Sequence, residues 1–291
     1  MDAHGPGPLV SAEWLAGHLG DAGLRAIHVS LDRKAYDKGH VPGAIFSDMH
    51  VDLAKAGLDP RTGSVKRMYM VPDREDVAEA LARWGVAPGS RIVFYDDAGQ
   101  GRWAIRGYWL LRLYGFPADR LHVLDGGLGA WQAGGQPTSV EVAEPARIGA
   151  TELLHDRDDS LIATAKQVLE WSREASAPGG PTRLLDVRRV DEYLGRDVMA
   201  ARGGRIAGSR HRLFSDFLTA DGRLRPVPDA LAILKGSGVN PGELRATYCQ
   251  GGVRAALVWF VLHELAGLTE VRNYAESWEE WGNRPDLPVE R

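Results

Sequence analysis

The single cysteine of this chain, Cys249, is the residue best suited to nucleophilic chemistry. One thiol cannot form an intramolecular disulfide or supply a zinc site built from several thiolates, so it is either an inert core residue or a reactive one. Gly251 and Gly252 let the main chain curl so that its amides can face an anion, and Arg254 adds a permanent positive charge. These neighbours favour the thiolate, and we predict that Cys249 is reactive.

The residues around Cys249 predict a strand, a glycine loop and a helix, in that order. Residues 244–248 form an apolar run of strand length. After the loop, apolar residues recur at helical spacing until Gly267, a residue type that commonly ends helices. In an open α/β sheet, ligands bind beyond the carboxyl ends of the strands. We therefore expect the Cys249 loop to bind a small anion at such an edge.

An internal repeat places Asp96 in the position equivalent to Cys249. Residues 85–96 align with residues 238–249 at a constant separation, and both segments begin with the same pattern of glycine and proline. The shared order of several such matches predicts a duplication in which the first copy has no nucleophile. The further matches are residues 39–44 with 204–209, Tyr36 with Tyr193, and Trp131 with Trp281.

Both copies alternate strand-length apolar runs with helical patterns. This alternation predicts an α/β fold of tandem duplicated domains, each a largely parallel sheet flanked by helices. The polar, weakly periodic stretch at 140–160 is the expected boundary, which gives domains at 1–150 and 151–291. The predicted strands cover residues 24–29, 91–95, 184–187 and 244–248.

Composition and charge exclude several classes of function. A formal net charge of −4 with no run of basic residues gives no support for a nucleic acid or an anionic membrane as partner. The amino terminus lacks a secretory signal pattern, and no apolar stretch is long enough to span a bilayer, so we expect a cytoplasmic protein. No zinc-ligand spacing, phosphate-binding loop or dinucleotide fingerprint is present, so no metal and no cofactor are predicted.

Four segments together resemble the rhodanese superfamily, in particular bacterial two-domain thiosulfate sulfurtransferases. They are residues 186–193, which read DVRRVDEY, residues 248–254, which read YCQGGVR, residues 39–44 and residues 273–281. The resemblance implies tandem rhodanese domains of which only the second is catalytic. It also implies that Cys249 takes sulfur from a small anionic donor as a persulfide and passes it to a thiol or cyanide. The first domain is then expected to cover the site, with Arg102 and Trp103 facing it.

Departures from the family patterns favour thiosulfate as the donor. Relatives directed to 3-mercaptopyruvate carry a hydroxyl residue where this chain has Gly251 and a threonine where it has Arg254. Vertebrate thiosulfate enzymes carry basic residues directly after the cysteine and an arginine that aligns with Glu192, so the cation has moved to Arg254. A 3-mercaptopyruvate sulfurtransferase and a persulfide carrier or sensor for a protein partner remain the alternatives.

Several residues near the loop have two possible roles. Arg188 follows Asp186 at a strand end, where an internal ion pair is at least as expected as contact with the donor. Glu192 either holds an arginine in place or touches the substrate. A cysteine phosphatase would need five residues between cysteine and arginine, whereas this loop has four, which disfavours phosphate. The residues predicted to bind the donor are Arg254, Gln250, Gly251, Gly252, Val253, Arg188 and Arg102.

Overall fold

The computed structural model describes residues 6–58 and 65–291, and the chain forms two compact units. The first takes in Met1–Lys55, Val71–Asp158 and Thr219–Leu224, and the second takes in Ala56–Met70, Asp159–Leu218 and Arg225–Arg291. Each unit therefore includes a short segment from the opposite half of the sequence. A single linear boundary near residue 150 stays a prediction.

The strands of the described residues form two larger sheets and two small ones. In chain order they are β1 (Leu9–Val10), β2 (Leu24–Ser30), β3 (Ile45–Asp48), β4 (Lys55–Leu58), β5 (Val65–Met70), β6 (Arg91–Asp96), β7 (Leu121–Leu124), β8 (Leu184–Asp186), β9 (Arg205–Ile206), β10 (Arg210–His211), β11 (Ala246–Tyr248), β12 (Arg272–Asn273) and β13 (Val289–Glu290). The first unit has the parallel sheet β1-β7-β6-β2-β3 and the second has the parallel sheet β10-β8-β11-β12. The small sheets pair β13 with β9 and β4 with β5.

Helices connect these strands. They are α1 (Ala12–His18), α2 (Lys34–Lys38), α3 (Met49–Asp52), α4 (Arg74–Arg83), α5 (Arg102–Leu113), α6 (Gly127–Ala133), α7 (Ala165–Ser176), α8 (Val190–Tyr193), α9 (Val227–Gly236), α10 (Val253–Trp259) and α11 (Ser277–Trp281). The helix α10 continues as a π-helix over Phe260–Leu265. Short 3-10 turns lie at Ala118–Arg120, Thr151–Leu153, Phe214–Phe217 and Pro241–Glu243.

Burial explains why these segments adopt parallel sheets with helical connections. The central strand β11 is wholly buried, and β6 is buried beyond its first residue. Strands buried on both faces require helices on both sides, which the crossover connections of a parallel sheet supply. The helices α5 and α10 that follow these strands bury almost every side chain, as expected of helices inside the core. The predicted α/β fold class is thus confirmed.

Equivalent hydrogen bonds in the two units confirm the predicted repeat. In the first unit, the hydroxyl of Tyr95 accepts a hydrogen bond from the amide of Val41 at 3.1 Å. In the second, the hydroxyl of Tyr248 accepts one from the amide of Ile206 at 3.1 Å. Both pairs join the same two aligned segments of the repeat. The duplication therefore extends from the sequence pattern to individual buried contacts.

A second matched pair involves the two aligned tryptophans. The indole nitrogen of Trp131 donates to the carbonyl of Pro137 at 2.8 Å, within the first core. The indole nitrogen of Trp281 donates to the carbonyl of Pro288 at 2.8 Å, within the second core. Each indole thus buries its apolar body in the core and satisfies its one donor on the chain that follows its helix.

Residues 6–58 and 65–291 lack two features of other protein classes, a membrane-spanning helix and a cluster of metal ligands. No helix there has both the length and the apolar character that a membrane span requires. In the same residues, no three side chains of the His, Cys, Asp or Glu type lie close enough together to hold a metal ion.

Candidate active site

Cys249 lies at the carboxyl end of β11, which pairs with β8 on one side and β12 on the other. Its side chain is buried, with 1% of its surface exposed. The loop that begins at Cys249 leads through Gly252 directly into α10. The predicted order of strand, loop and helix is therefore present. The thiol lies at the edge of the parallel sheet where α/β proteins bind their ligands.

Residues at the start of α11 hold the main chain of Cys249 on both sides. Ser277 Oγ accepts a hydrogen bond from the Cys249 amide at 3.0 Å, and the Trp278 amide donates to the Cys249 carbonyl at 3.0 Å. Ser277 has a φ of +50°, and within the described chain it is the only non-glycine residue with a positive φ. Such strain persists where the surrounding structure requires it. Nothing in the sequence singles out Ser277 beyond its place in the aromatic segment 273–281.

Gly252 turns the loop into the helix with a left-handed backbone. Its φ is +78°, and a Cβ atom would lie 2.5 Å from the carbonyl oxygen of Ala275, so only glycine fits. The side-chain amide of Asn273 donates to the Gly252 carbonyl at 3.1 Å and fixes the orientation of this peptide. Gly251 differs from the sequence expectation, because its φ lies outside the left-handed region. Of the two glycines, the backbone requires only Gly252.

A run of main-chain amides after Cys249 has no hydrogen-bond acceptor among the residues that the structure describes. These amides belong to residues 250–254. The amides of residues 253 and 254 lie in the first turn of α10, where a helix leaves its amides without intrahelical partners, and the amides at 250–252 extend this run into the loop. Successive amides in a turn form the concave sites in which proteins bind anions. The loop can therefore stabilise negative charge beside the thiol.

Arg254 forms a bidentate ion pair with Glu192. Two guanidinium nitrogens donate to Glu192 Oε2 at 2.7 Å and Oε1 at 2.9 Å. Glu192 also accepts hydrogen bonds from the amide and Nε of Arg189, at 3.1 and 2.9 Å. Burial by itself would raise the pKa of Glu192, but the hydrogen bonds and charges of the two arginines lower it to about 2. The carboxylate is thus firmly ionised at neutral pH.

The ion pair with Glu192 gives Arg254 a different role from the one that the sequence predicts. The sequence predicts a guanidinium that presents its donors to the substrate, whereas both of its terminal nitrogens are engaged by Glu192. Burial would lower the pKa of Arg254, but Glu192 and the nearby charge of Cys249 raise it. Arg254 is therefore a fixed positive charge in the field of the thiol. Glu192 holds an arginine in place, one of the two roles that the sequence allowed.

Arg188 is occupied by an internal ion pair. Its Nε and terminal nitrogen donate to the carboxylate of Asp186 at 3.0 and 2.6 Å, and the same terminal nitrogen donates to the Gly204 carbonyl at 2.8 Å. Its guanidinium also lies 4.5 Å from the centre of the Trp278 ring. Only 1% of Arg188 is exposed, and the internal ion pair is one of the two roles that the sequence allowed, while contact with the sulfur donor stays a prediction. The residue supports the end of β8 beside the loop.

The side chains of Gln250 and Val253 are engaged or buried within the protein. The side-chain amide of Gln250 donates to Glu279 Oε2 at 3.0 Å and to the carbonyl of Met199 at 3.3 Å. The side chain of Val253 is buried. The donor contacts predicted for both residues therefore concern their amides, which belong to the run at 250–254.

In the first unit, Asp96 occupies the end of β6 and is fully buried. Its Oδ2 accepts hydrogen bonds from the amides of Trp103 at 3.0 Å and Ala104 at 3.5 Å, in the first turn of α5. Burial raises the pKa of Asp96, and these hydrogen bonds oppose that shift only in part. At the point equivalent to the cysteine loop, the carboxylate of Asp96 thus accepts hydrogen bonds from main-chain amides.

Arg102 and Trp103 begin α5 in the same unit. A terminal nitrogen of Arg102 donates to Gln100 Oε1 at 2.6 Å, and its guanidinium carbon lies 4.9 Å from the centre of the Trp103 ring. Trp103 is largely buried. The stacked pair is well ordered within its own unit. Its role in covering the active site stays a prediction.

The ion pair of Glu192 predicts how the free energy of unfolding depends on pH. The pKa of Glu192 falls from 4.5 to about 2 on folding, so its carboxylate stabilises the fold above pH 4.5, and this contribution is lost as the pH falls toward 2. Glu192→Gln should therefore lower the free energy of unfolding by roughly 3 kcal/mol at pH 7 and by much less near pH 2.5. Urea unfolding at both pH values measures this. Asp191→Asn, which alters an exposed carboxylate one residue away, should have little effect. An equal loss for Glu192→Gln at both pH values would show that charge is not the cause.

Known proteins match this chain over almost its whole length. The family described as "Rhodanese-like domain" matches residues 11–134 and 164–284. The chain is 35% identical over 295 residues to the thiosulfate sulfurtransferase of Corynebacterium glutamicum, covering 98% of this chain and 91% of that protein. It is 30% identical over 292 residues to the "Sulfur carrier protein TtuD" of Thermus thermophilus, covering 98% and 96% respectively.

The fold is also present in a solved structure. The anaerobic ergothioneine biosynthesis enzyme of Chlorobium limicola superposes with a TM-score of 0.78 at 23% identity, covering 97% of this chain and 70% of that enzyme. At this identity the likeness shows the fold alone. The relatives named thiosulfate sulfurtransferase support sulfurtransferase activity for this chain. With two family matches and full-length relatives, the protein belongs to the rhodanese family and carries two rhodanese-like domains in tandem.

Proposed function

We propose that this protein transfers sulfane sulfur from thiosulfate to cyanide or a thiol through a persulfide on Cys249. The observation that carries the proposal is the run of amides at 250–254, which has no acceptor among the described residues and follows the thiol directly. Arg254 adds a positive charge whose position is fixed by Glu192. These are the groups that a transferable sulfur anion requires.

The transfer takes place in two displacements at sulfur. The thiolate of Cys249 attacks the outer sulfur of thiosulfate, a new sulfur–sulfur bond forms, and the old one breaks with its electron pair leaving on sulfite. Cyanide or a thiolate then attacks the outer sulfur of the persulfide, and the sulfur–sulfur bond breaks with its electron pair on Cys249. The acceptor departs with the outer sulfur as thiocyanate or as a new persulfide. The Cys249 thiolate is regenerated, so no external oxidant or reductant is needed. The amides at 250–254 stabilise the anionic sulfur in both steps.

Thiosulfate is favoured over 3-mercaptopyruvate by the chemistry of position 251. Gly251 carries no hydroxyl group that could assist the enolate leaving group of 3-mercaptopyruvate. Sulfite leaves as a compact, strongly charged anion, for which main-chain amides and a nearby guanidinium suffice. The relatives named thiosulfate sulfurtransferase support this choice.

A second candidate function is that of a persulfide carrier for a protein acceptor. The similarity to a relative named sulfur carrier protein favours it. Carrier and enzyme share the same Cys249 chemistry and differ in the acceptor. Turnover of thiosulfate with cyanide, compared with transfer from the loaded protein to an acceptor protein, separates the two functions.

The central expectation is one added sulfur atom on Cys249. Intact mass measured after incubation with thiosulfate should rise by one sulfur, and sulfite should be released in equal amount. Steady-state rates with cyanide should follow ping-pong kinetics, because the sulfur transfer is split into two steps. Cys249→Ser should show neither the added mass nor turnover. An unchanged mass in the wild type, together with full activity in Cys249→Ser, would exclude the mechanism.

Arg254→Ala tests the fixed cation. Loss of a charged group near a developing anion should lower kcat/KM for thiosulfate by about tenfold or more and slow the alkylation of Cys249 by iodoacetamide. The double variant Arg254→Ala/Glu192→Gln is the control, because it also removes the carboxylate that the single variant leaves without this partner. It should regain stability but not activity. Wild-type kinetics in Arg254→Ala, or recovered kinetics in the double variant, would rule out a direct effect of the guanidinium.

Asp96→Ala tests whether the first domain takes part in the chemistry. The variant loses the acceptor for two helix amides, which should cost about 1–2 kcal/mol of stability. It should still take up sulfur on Cys249, because no step uses Asp96. Asp96→Asn keeps an acceptor without a buried charge and should be closer to the wild type. If a folded Asp96→Ala protein takes up no sulfur, Asp96 has a role in the reaction.

A further inference from the structure

The backbone conformation at position 251 does not explain why this residue is a glycine. Its φ lies outside the left-handed region, so other residues could adopt its conformation. A Cβ atom at this position would lie 3.2 Å from both Cβ and Cδ2 of Tyr69 and 3.6 Å from its Cγ. Distances of 3.2 Å are tighter than ordinary contacts between a Cβ and its neighbours. The side chain of Tyr69 therefore fills the space that a side chain at 251 would need.

Tyr69 reaches this position from β5, in the small sheet that β5 forms with β4. Along the sequence it lies within the first family match, at 11–134, yet residues 56–70 belong to the second compact unit. The second unit is the one that contains Cys249. Tyr69 is half-buried, so part of its side chain is accessible to solvent.

We propose that Tyr69 is a specificity-determining residue of the sulfur-donor site, where it restricts the site to small sulfur oxyanions. The inference rests on the proposed function of the Cys249 loop. The amide of Gly251 belongs to the run at 250–254, so the aromatic ring borders the place where a donor anion is held. A compact sulfur donor such as thiosulfate fits beside the Tyr69 ring, whereas a sulfur donor with a keto acid group needs more space.

The side chain of Tyr69 cannot easily move away from position 251. One of the closest atoms is the Cβ of Tyr69, which is attached directly to the strand and cannot swing aside by rotation of the ring. An aromatic ring also has few rotatable bonds, so it holds its shape at low entropic cost. A side chain at 251 and the ring at 69 therefore compete for one space. Substitutions at the two positions must be coupled.

A double-mutant cycle tests this competition. Gly251→Ser, Tyr69→Gly and the double variant are compared with the wild type for kcat/KM with thiosulfate and with 3-mercaptopyruvate, using cyanide as acceptor. Gly251→Ser alone should lower kcat/KM for thiosulfate by about tenfold, and in the Tyr69→Gly background by less than about threefold. Tyr69→Gly alone should shift the ratio of the two kcat/KM values by about tenfold toward 3-mercaptopyruvate.

Tyr69→Phe is the matched control, because it keeps the ring and removes only the hydroxyl. Its donor preference should remain within about twofold of the wild type. If Tyr69→Gly does not fold, Tyr69→Ala replaces it in the comparison of the two donors only, because its Cβ keeps the 3.2 Å approach to a Cβ at 251. Equal costs of Gly251→Ser in both backgrounds, or an unchanged donor ratio without the ring, would overturn the inference.

A separate measurement distinguishes failure of the inference about Tyr69 from failure of the proposed function. The mass of wild-type Cys249 after incubation with thiosulfate reports sulfur uptake without reference to Tyr69. No uptake in the wild type contradicts the proposed function itself. Uptake in the wild type combined with additive effects of the two substitutions contradicts only the role of Tyr69.

Discussion

The proposed transfer depends on stabilising negative charge on a buried sulfur, because burial penalises any charge that the protein does not compensate. Cys249 is 1% exposed, so water supplies little of that compensation. The amides at 250–254, which have no acceptor in the part of the chain that the structure describes, are the groups in place to do so. Gly252 adopts the left-handed backbone that the loop needs without strain, whereas the positive φ of Ser277 is a local cost.

The duplication supplies an internal comparison for this constraint. Both units end a buried parallel strand at an equivalent point and continue into a buried helix. In the first unit, the carboxylate of Asp96 accepts the amides of Trp103 and Ala104. In the second unit, a thiol stands at that point, and the amides at 250–254 have no acceptor within residues 6–58 and 65–291. One architecture thus carries a buried carboxylate on its helix amides in the first unit and a buried thiol beside its loop amides in the second.

The fold and the repeat could be predicted because they depend on local patterns of apolar runs and glycines. What the sequence did not reveal are contacts between residues far apart in the chain. The charge of Arg254 is visible in the sequence, but its orientation depends on the ion pair with Glu192. Gly251 looks like a flexible loop residue until Tyr69 is seen beside it. The strain at Ser277 has no sequence signature, although the aromatic segment around it marks the region.

The most direct test is a crystal structure of the protein after incubation with thiosulfate. We predict an added sulfur atom on Cys249, within hydrogen-bonding distance of amides from the run at 250–254, with the Arg254–Glu192 ion pair intact. The Asp96 carboxylate should still accept its two amides in the first domain. An unmodified thiol, or an added sulfur directed away from the amides at 250–254, would contradict the view that this loop exists to stabilise anionic sulfur.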